Sequence, residues 1–306
     1  MRRGNAILVD GNALRLGLFG SNCSSGRTYA TLPERWEASW QNNARLAQLA
    51  DEIGIECIVP IARWKGYGGE SNPNGSSFES IAWACGLLAA TRRINVFCTV
   101  HVPLHAGTYY KLGGVEGSPR PYAEGAPLMM NAGSSQAGRS FAIRHSDMHF
   151  DALDTPEASA GRIAETKRLA REHGRDIQVW TPVGIVCRPS QKEADDYLQY
   201  VVDHVDRGAI GYLAEMHAKD GRSPTDPQRP LMRSPIERRA LARGSYCVVG
   251  DPDAVARELA RLRSAGLDGV AANFVDYLKE LPYFAGEVLP RLERLGLRTG
   301  SRLLRR

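Results

Sequence analysis

The sequence predicts an α/β fold, a (β/α)8 TIM-barrel-like domain in which one βα unit is missing or shortened after the third strand. Apolar segments of strand length alternate with helical patterns along almost the whole chain. The strand segments are nearly continuous apolar runs, which is typical of parallel strands covered on both faces. The residues between the third strand and residue 127 contain neither a helical pattern nor a buried strand.

Seven apolar segments are predicted as the strands of this barrel. They span residues 14–20, 55–61, 94–100, 127–133, 149–153, 177–186 and 269–274. The helical patterns between and after them span residues 36–53, 78–91, 136–145, 158–173, 191–206, 252–265 and a last helix that ends at 295. Gly54 is the expected stop of the first helix, and Ser134 and Ser135 supply N-cap residues before helix 136–145. An eight-stranded barrel that lacks one unit accounts for this order of elements.

The missing unit is predicted between residues 101 and 126, which are rich in Gly, Pro and Tyr. A parallel crossover needs a dozen or more residues and usually includes a helix. Residues 101–126 are long enough to cross, but they cannot hold a complete strand and helix. We therefore expect strands 94–100 and 127–133 to become neighbours or to leave a gap.

Length and composition are those of a globular protein with one large α/β domain or two smaller ones, and the barrel pattern favours a single domain. The chain has 306 residues, of which 43% are hydrophobic and 24% are charged, as in ordinary globular proteins. Residues 1–306 are therefore expected to form a single barrel domain with an N-terminal extension at 1–13. Residues 217–237 are predicted to be a mobile loop, which in a barrel would lie near the mouth of the site. Residues 299–306 form a basic tail.

Charge and cysteine content argue against several other classes of protein. The formal net charge is +5, and the basic residues are spread out, which argues against a nucleic-acid surface. No run of about 18 apolar residues indicates a membrane span, and the N-terminus lacks the apolar core of a signal peptide. The six cysteines are scattered without a CxxC pair, so reduced thiols and a cytoplasmic location are expected.

The loop after the second strand is the most informative segment of the chain. Strand 55–61 is followed by a Gly-rich loop that carries two cations, Arg63 and Lys65, and two aromatic residues, Trp64 and Tyr67. A buried strand that leads into such a loop and then a helix is typical of a phosphate or cofactor site. The cations and rings suit an anionic, planar ligand. The alternative is a surface turn that uses Gly for its backbone freedom.

Several segments together resemble one family of enzymes. They are residues 17–26, 61–69, 99–104, 130–138, 249–252 and 267–274. In these segments the chain resembles the bacterial luciferase-like, flavin-dependent monooxygenases, especially the branch of pyrimidine, alkanesulfonate and dimethylsulfone oxygenases. The resemblance covers residues 14–105 and 107–298 in order.

The resemblance implies a βα barrel that binds FMN at the C-terminal ends of its strands. It implies reduced FMN from a partner flavin reductase, O2 as co-substrate, and a small organic substrate. By resemblance, Ala62, Arg63 and Ser135 match positions that contact the flavin. Thr99 and His101, at the end of the third strand, are candidate catalytic residues that face the flavin edge or the substrate. No metal ligand is predicted among the site residues.

The chain departs from the family pattern between His105 and Gly107. At that point the family has a helix, a further strand and an Arg-Tyr pair on the next helix, and these carry contacts to flavin and its phosphate. The first hypothesis is an FMN-dependent monooxygenase that tolerates this loss, with Arg63, Lys65 and Ser135 providing part of the anion binding. The second is a degenerate, non-catalytic relative that binds flavin weakly or not at all and acts as a scaffold or interaction partner.

Two further expectations follow from the residues. Loss of a βα unit leaves two unpaired strand edges, which favours pairing with a partner, so a homo-oligomer is expected.

A metal-dependent hydrolase is a third hypothesis, because the chain holds a group of possible ligands: His101, His105, His145, Asp147, His149 and Asp151. The i,i+2 spacing of the last four, at a helix-to-strand junction, is more typical of solvated polar residues than of a metal site.

Overall fold

The described part of the computed structural model holds eight strands, and all of them are paired in parallel. The structure describes residues 7–8, 10–63, 65–99, 128–133, 135–219 and 235–299. The strands are β1 Arg15–Phe19, β2 Cys57–Val59, β3 Asn95–Val96, β4 Met130–Asn131, β5 Met148–Phe150, β6 Gln178–Cys187, β7 Tyr246–Gly250 and β8 Gly269–Asn273.

Ten helices lie between and after these strands in the described part of the chain. They are α1 Trp40–Ile53, α2 Ser80–Ala90, α3 Gln136–His145, α4 Pro156–Glu172, α5 Gln191–Asp203, α6 Arg207–Lys219, α7 Ile236–Ala242, α8 Pro252–Ser264, α9 Tyr277–Glu287 and α10 Leu289–Arg294. No helix among the described residues is long and apolar enough to cross a membrane.

Seven of the strands follow one path, in the order β3-β2-β1-β8-β6-β5-β4, and β7 pairs with β6 beside that path. The seven strands on the path are the seven that the sequence predicts. The result is a curled parallel sheet with helices, a TIM-barrel-like α/β fold. Its two ends are β3 and β4, which flank the segment in which the sequence predicts a missing unit. Residues 101–126 of that segment lie outside the described residues.

Several predicted boundaries are wrong. Strands β3 and β4 have two residues each and are much shorter than the predicted segments 94–100 and 127–133. Strand β7 is not among the predicted strands, because its apolar segment is short. Helix α1 begins at Trp40 and not at 36, since the Ser39 side chain accepts a hydrogen bond from the backbone N–H of Asn42 and fixes the start there.

The predicted bounds of the loop at residues 217–237 are also wrong at both ends. Helix α6 continues to Lys219 and α7 begins at Ile236, so regular structure enters the segment from each side. The predicted last helix is two helices, α9 and α10, which meet at Val288 before Pro290. Gly54 does end α1, with a φ of 82° that a residue with a side chain rarely adopts.

Two apolar layers result from the alternation of side chains along each strand. Leu16 and Leu18 of β1 pack in the larger cluster, which includes residues of the helices such as Trp83 and Leu259. The neighbouring Phe19 packs in a second cluster with Cys57, Val59, Met148, Phe150, Trp180 and Ala271, which draws nothing from α1–α10. Because successive residues of a strand face opposite sides, this second cluster fills the concave interior of the curled sheet.

The N-terminal extension packs against the beginnings of the strands. Ile7 is buried in the interior cluster, and its carbonyl oxygen accepts a hydrogen bond of 3.4 Å from Nε2 of Gln178 at the start of β6. Arg15, at the start of β1, forms an ion pair of 2.9 Å with Asp10. The N-terminal end of the sheet is therefore covered by residues of the extension, while the loops that follow β1 and β2 lie at the opposite end.

Candidate functional site

The loops that follow β1 and β2 are joined at the C-terminal end of the sheet. Nδ2 of Asn22 donates to the carbonyl oxygen of Ile61 at 2.8 Å, and the backbone N–H of Ile61 donates to Oδ1 of Asn22 at 2.9 Å. Cys23 and Ser77 form an antiparallel bridge between the same loops. Burial raises the pKa of the Cys23 thiol to about 12, with Arg63 lowering it to a smaller extent. Cys23 is therefore a protonated, structural thiol that packs the junction.

Tyr67 lies at the centre of the loop after β2, and two guanidinium groups lie against its ring. The ring is fully buried, with the guanidinium carbon of Arg63 3.8 Å and that of Arg243 4.8 Å from its centroid. Nη1 of Arg63 donates to the Tyr67 hydroxyl. The ring of Tyr29 packs at 5.2 Å from that of Tyr67. The loop is thus a packed structure in which two guanidinium groups lie against the buried Tyr67 ring.

Arg27 brings a third guanidinium to the same end of the sheet. It is only 4% exposed, and its guanidinium carbon lies 4.6 Å from the centroid of the Phe19 ring. Nη2 of Arg27 donates to the carbonyl oxygen of Ala242 at 3.0 Å and to Oγ of Ser245 at 2.6 Å. Burial, together with the positive charge of Arg243, lowers the pKa of Arg27 to about 10. The buried group remains charged at neutral pH.

The structure places the predicted residues Ala62 and Arg63 directly after β2, in this cationic region. Both are half-buried. Nε of Arg63 donates to the carbonyl oxygen of Lys65 at 3.0 Å, which holds the side chain along its own loop. Lys65 is exposed, with its Nζ 5.5 Å from the centroid of the Tyr212 ring. The contacts that Ala62 and Arg63 were predicted to make with a flavin stay predictions.

Thr99, predicted at the end of the third strand, is held through its backbone. Its carbonyl oxygen accepts a hydrogen bond of 2.5 Å from Oγ of Ser80, and its backbone N–H donates to the same hydroxyl at 3.3 Å. These bonds tie the chain after β3 to the first residue of α2. His101, the second candidate catalytic residue, lies outside the described residues.

Ser135 is the N-cap residue of α3, as the sequence predicts. Its hydroxyl is exposed and accepts a hydrogen bond of 3.1 Å from the backbone N–H of Gly138. The turn before the helix is compact, since a Cβ on Gly138 would come within 2.7 Å of the Cα atom of Gly133. The exposed start of a ten-residue helix presents backbone N–H groups and the positive end of its dipole to an anion.

Next to this turn lies the buried side chain of His149. Its Nε2 is 3.3 Å from the carbonyl oxygen of Gly133, and its Nδ1 has no hydrogen-bond partner among the described residues. Burial lowers the pKa of His149, and the nearby carboxylate of Asp151 only partly opposes this. Asp151 in turn forms an ion pair of 3.3 Å with Arg162. The ring is therefore held neutral near pH 7.

The residues suggested as metal ligands do not gather into a site in the described part of the chain. Asp147 accepts a hydrogen bond of 2.8 Å from the backbone N–H of Met129 and pairs with Arg175 at 3.4 Å. Among the described residues, no three His, Cys, Asp or Glu side chains lie close enough to hold a metal ion. His101 and His105 lie outside those residues.

A cavity of about 350 Å³ lies apart from the predicted residues, beside the C-terminal end of β6. Its wall contains Arg188, which forms an ion pair of 2.9 Å with the buried carboxylate of Glu280. The guanidinium carbon of Arg188 lies 3.9 Å from the centroid of the Tyr197 ring. Arg188 therefore links Glu280 of α9 to Tyr197 of α5.

Sequence reasoning missed Arg27 and Arg243. Arg27 follows the matched segment 17–26 directly, which was the only local signal for it. Arg243 is far away in sequence and ends α7 in the left-handed conformation, with a φ of 53°. Only the pairing of the strands brings the two arginines to the same end of the sheet as Arg63.

Comparison with known proteins gives matches along most of the chain. The family model for luciferase-like monooxygenases matches residues 14–106 and 102–269. The FMNH(2)-dependent dimethylsulfone monooxygenase of Pseudomonas fluorescens is 21% identical over 360 residues, which cover 94% of this chain and 97% of that protein. The pyrimidine monooxygenase RutA of Escherichia coli K12 is 28% identical, with 92% of each chain covered.

Solved structures show the same fold. The crystal structure of DmoA from Hyphomicrobium sulfonivorans superposes with a TM-score of 0.73 at 15% identity, covering 95% of this chain and 91% of that one. The riboflavin lyase RcaE, solved with modified FMN and riboflavin, has a TM-score of 0.71 at 18% identity, with 94% of this chain and 93% of that chain covered. With the family model matched over more than half of its length, the chain belongs to the luciferase-like monooxygenase family.

Proposed function

We propose that this protein is a flavin-dependent monooxygenase that uses reduced FMN and O2 to oxidise a small organic substrate. The observation that carries the proposal is the loop after β2, which holds the half-buried guanidinium of Arg63 over the buried Tyr67 ring at the C-terminal end of the sheet. In barrels of this architecture, active sites lie at that end. Family membership and the FMNH(2)-dependent relative support the choice of cofactor.

The residues present fit an anionic flavin at two places. Ser135 and the first N–H groups of α3 provide donors for a phosphate, and Ser135 has an exposed hydroxyl there. Nε of Arg27 is a buried donor with no hydrogen-bond partner among the described residues. Bound FMN would supply the oxygen chemistry. In this proposal Ala62 and Arg63 orient the flavin ring, while Thr99 and His101 face its edge or the substrate.

We also propose that the chain lacks one βα unit of the family barrel. The strand path ends at β3 and β4, on either side of the predicted gap. The two ranges matched by the family model meet at residues 102–106, within the same segment. The alignment to the Pseudomonas fluorescens protein extends over 360 residues, whereas this chain has 306. The relative therefore has residues for which this chain has no counterpart.

The two proposed partners are a flavin reductase, which follows from the proposed chemistry, and a second copy of the chain, which follows from the two ends of the described strand path. Reduced FMN would come from a partner flavin reductase in the cytoplasm. A homo-oligomer would cover the edges of β3 and β4, which end the strand path among the described residues, since unpaired backbone groups at a sheet edge favour pairing. Light scattering coupled to size-exclusion chromatography tests this, and a single monomeric peak at all concentrations would contradict it.

A degenerate, non-catalytic relative is the second candidate. The observation in its favour is that the two end strands, β3 and β4, have only two residues each. A barrel whose strands β3 and β4 are this short would bind the flavin weakly. Such a protein would act as a scaffold or interaction partner.

Flavin titration followed by a turnover assay separates the two candidates. Quenching of FMN fluorescence by the purified protein measures binding. The protein is then supplied with FMN, NADH and a flavin reductase, and panels of small sulfones, sulfonates and heterocycles are screened for oxygenated products by mass spectrometry. Products that require both the protein and O2 support the monooxygenase. Absence of flavin binding would overturn it and favour the second candidate.

A further inference from the structure

Two partner residues of strands β4 and β5 hold the same residue in the turn before α3. Asn131 and His149 lie opposite each other in the parallel pairing of the two strands. Oδ1 of Asn131 accepts a hydrogen bond of 2.8 Å from the backbone N–H of Gly133, and Nε2 of His149 lies 3.3 Å from the carbonyl oxygen of the same residue. Because a carbonyl oxygen only accepts, this contact requires the proton on Nε2. Side chains of the sheet therefore hold both backbone polar groups of Gly133.

The position of Gly133 fixes the start of α3. A Cβ on Gly133 would come within 2.7 Å of the Cα atom of Gly138, so the turn packs directly on the beginning of the helix. Gly138 in turn donates its backbone N–H to Oγ of Ser135, the N-cap residue. A shift of Gly133 would therefore move the cap and the first N–H groups of α3. These are the groups that the proposed function assigns to the phosphate of FMN.

Two buried polar atoms beside this turn indicate that an anion binds there. His149 is only 1% exposed, and its Nδ1 has no hydrogen-bond partner among the described residues. Nε of Arg139, at the fourth position of α3, is also buried without a partner in that part of the chain. The first turn of α3 contains no acidic side chain. Since a cation near the start of a helix opposes the helix dipole, a bound anion would stabilise Arg139 at this position.

We propose that Asn131 and His149 are positioning residues that hold the start of α3 in the geometry that binds the phosphate of FMN. By doing so they make the protein select FMN over riboflavin, which has the same ring system but no phosphate. The inference rests on the proposed function and deepens it. Ser135 and the backbone N–H groups would contact the phosphate, whereas Asn131 and His149 act through Gly133.

The test compares the affinities of the full-length protein for FMN and for riboflavin by fluorescence titration. FMN should bind to the wild type more tightly than riboflavin does. His149→Leu removes the donor to Gly133 and should lower the ratio of the two affinities about 10-fold, the effect of losing about one hydrogen bond. Asn131→Ala removes the acceptor at Gly133 and should lower the ratio as well. It replaces His149→Leu if that variant does not fold.

Two further variants separate positioning from a general loss of stability. In His149→Gln the amide nitrogen can donate to the same carbonyl oxygen, so the affinity ratio should stay within about 2-fold of the wild type. Ser190→Ala is the matched control, because it removes the cap of α5, a different helix. It should lower stability and leave the ratio unchanged.

Three results would overturn the inference. One is a wild type that binds FMN no more tightly than riboflavin. Another is a wild-type ratio in folded His149→Leu and Asn131→Ala, and the third is an equal fall in His149→Gln and His149→Leu. Failure of the proposed function differs, since neither flavin would then bind. Calorimetry with inorganic phosphate at constant ionic strength would then test the inference, and it is overturned if phosphate does not bind or binds equally to His149→Leu.

Discussion

Arg63 contacts both its own loop and the buried Tyr67 ring. Its Nε donates to the carbonyl oxygen of Lys65, and its guanidinium lies over the ring at 3.8 Å. A half-buried guanidinium on an aromatic face is worth about 0.5–1 kcal/mol to stability. The same position, directly after β2, is where the family resemblance implies a flavin contact. A functional and a structural role therefore predict different effects of one substitution.

Replacing Arg63 by Ala should remove most of the flavin binding and change stability little. We expect FMN affinity to fall by about 10-fold or more, because a charge-assisted contact is lost. The melting temperature should fall by only about 2–4 °C, as expected for the loss of about 1 kcal/mol from a large domain. Fluorescence titration and thermal unfolding measure the two effects, with Arg168→Ala as control. Unchanged FMN affinity, or a much larger fall in melting temperature, would show that Arg63 is structural.

His149 should make the protein less stable in acid. Because burial lowers its pKa, the folded state favours the neutral ring, whereas the unfolded chain binds a proton near pH 6.5. The unfolded state therefore binds more protons as the pH falls below about 6.5, and the free energy of unfolding decreases until the pH passes the lower folded pKa. Urea unfolding between pH 8 and pH 5 measures this decrease.

The variant His149→Gln should show a weaker dependence of stability on pH over the same range. His173→Gln, at an exposed position after α4, is the matched control and should keep the wild-type dependence. Equal pH dependence in His149→Gln and the wild type would assign the acid sensitivity to other groups.

At the scale of the elements, the N-cap residue of helix α3 has two proposed uses. Ser135 caps the helix, and the loss of an N-cap hydroxyl costs about 1 kcal/mol of stability. If Ser135 also holds a phosphate, its substitution should weaken ligand binding as well. Helix α5 provides a comparison, since Ser190 caps it in the same way, accepting from the backbone N–H of Glu193.

Ser135→Ala and Ser190→Ala should lower the free energy of unfolding by similar amounts, about 1 kcal/mol each. Only Ser135→Ala should also weaken FMN binding, because only its helix starts at the proposed phosphate site. Urea unfolding and fluorescence titration of both variants make the comparison. If the two variants bind FMN equally well, Ser135 is a plain cap.

At the scale of the whole molecule, the proposed loss of one βα unit should weaken FMN binding. The resemblance implies that the absent segment carries an Arg-Tyr pair that holds the flavin phosphate in relatives. Loss of a charge-assisted contact of about 1.5–3 kcal/mol corresponds to an affinity about 10- to 150-fold lower. Fluorescence titration should therefore show weaker FMN binding than in relatives with the complete barrel. Micromolar or tighter binding would contradict this prediction.

The sequence by itself determined the alternation of strands and helices and the seven strands of the main path. Those signals are local, since strand runs, Gly54 and the Ser135 cap act on residues a few positions away. Only the tertiary structure decided the pairing of β7 with β6, the two-residue lengths of β3 and β4, and the meeting of Arg27 with Arg243. These features depend on contacts between residues far apart in the chain, which no local pattern encodes.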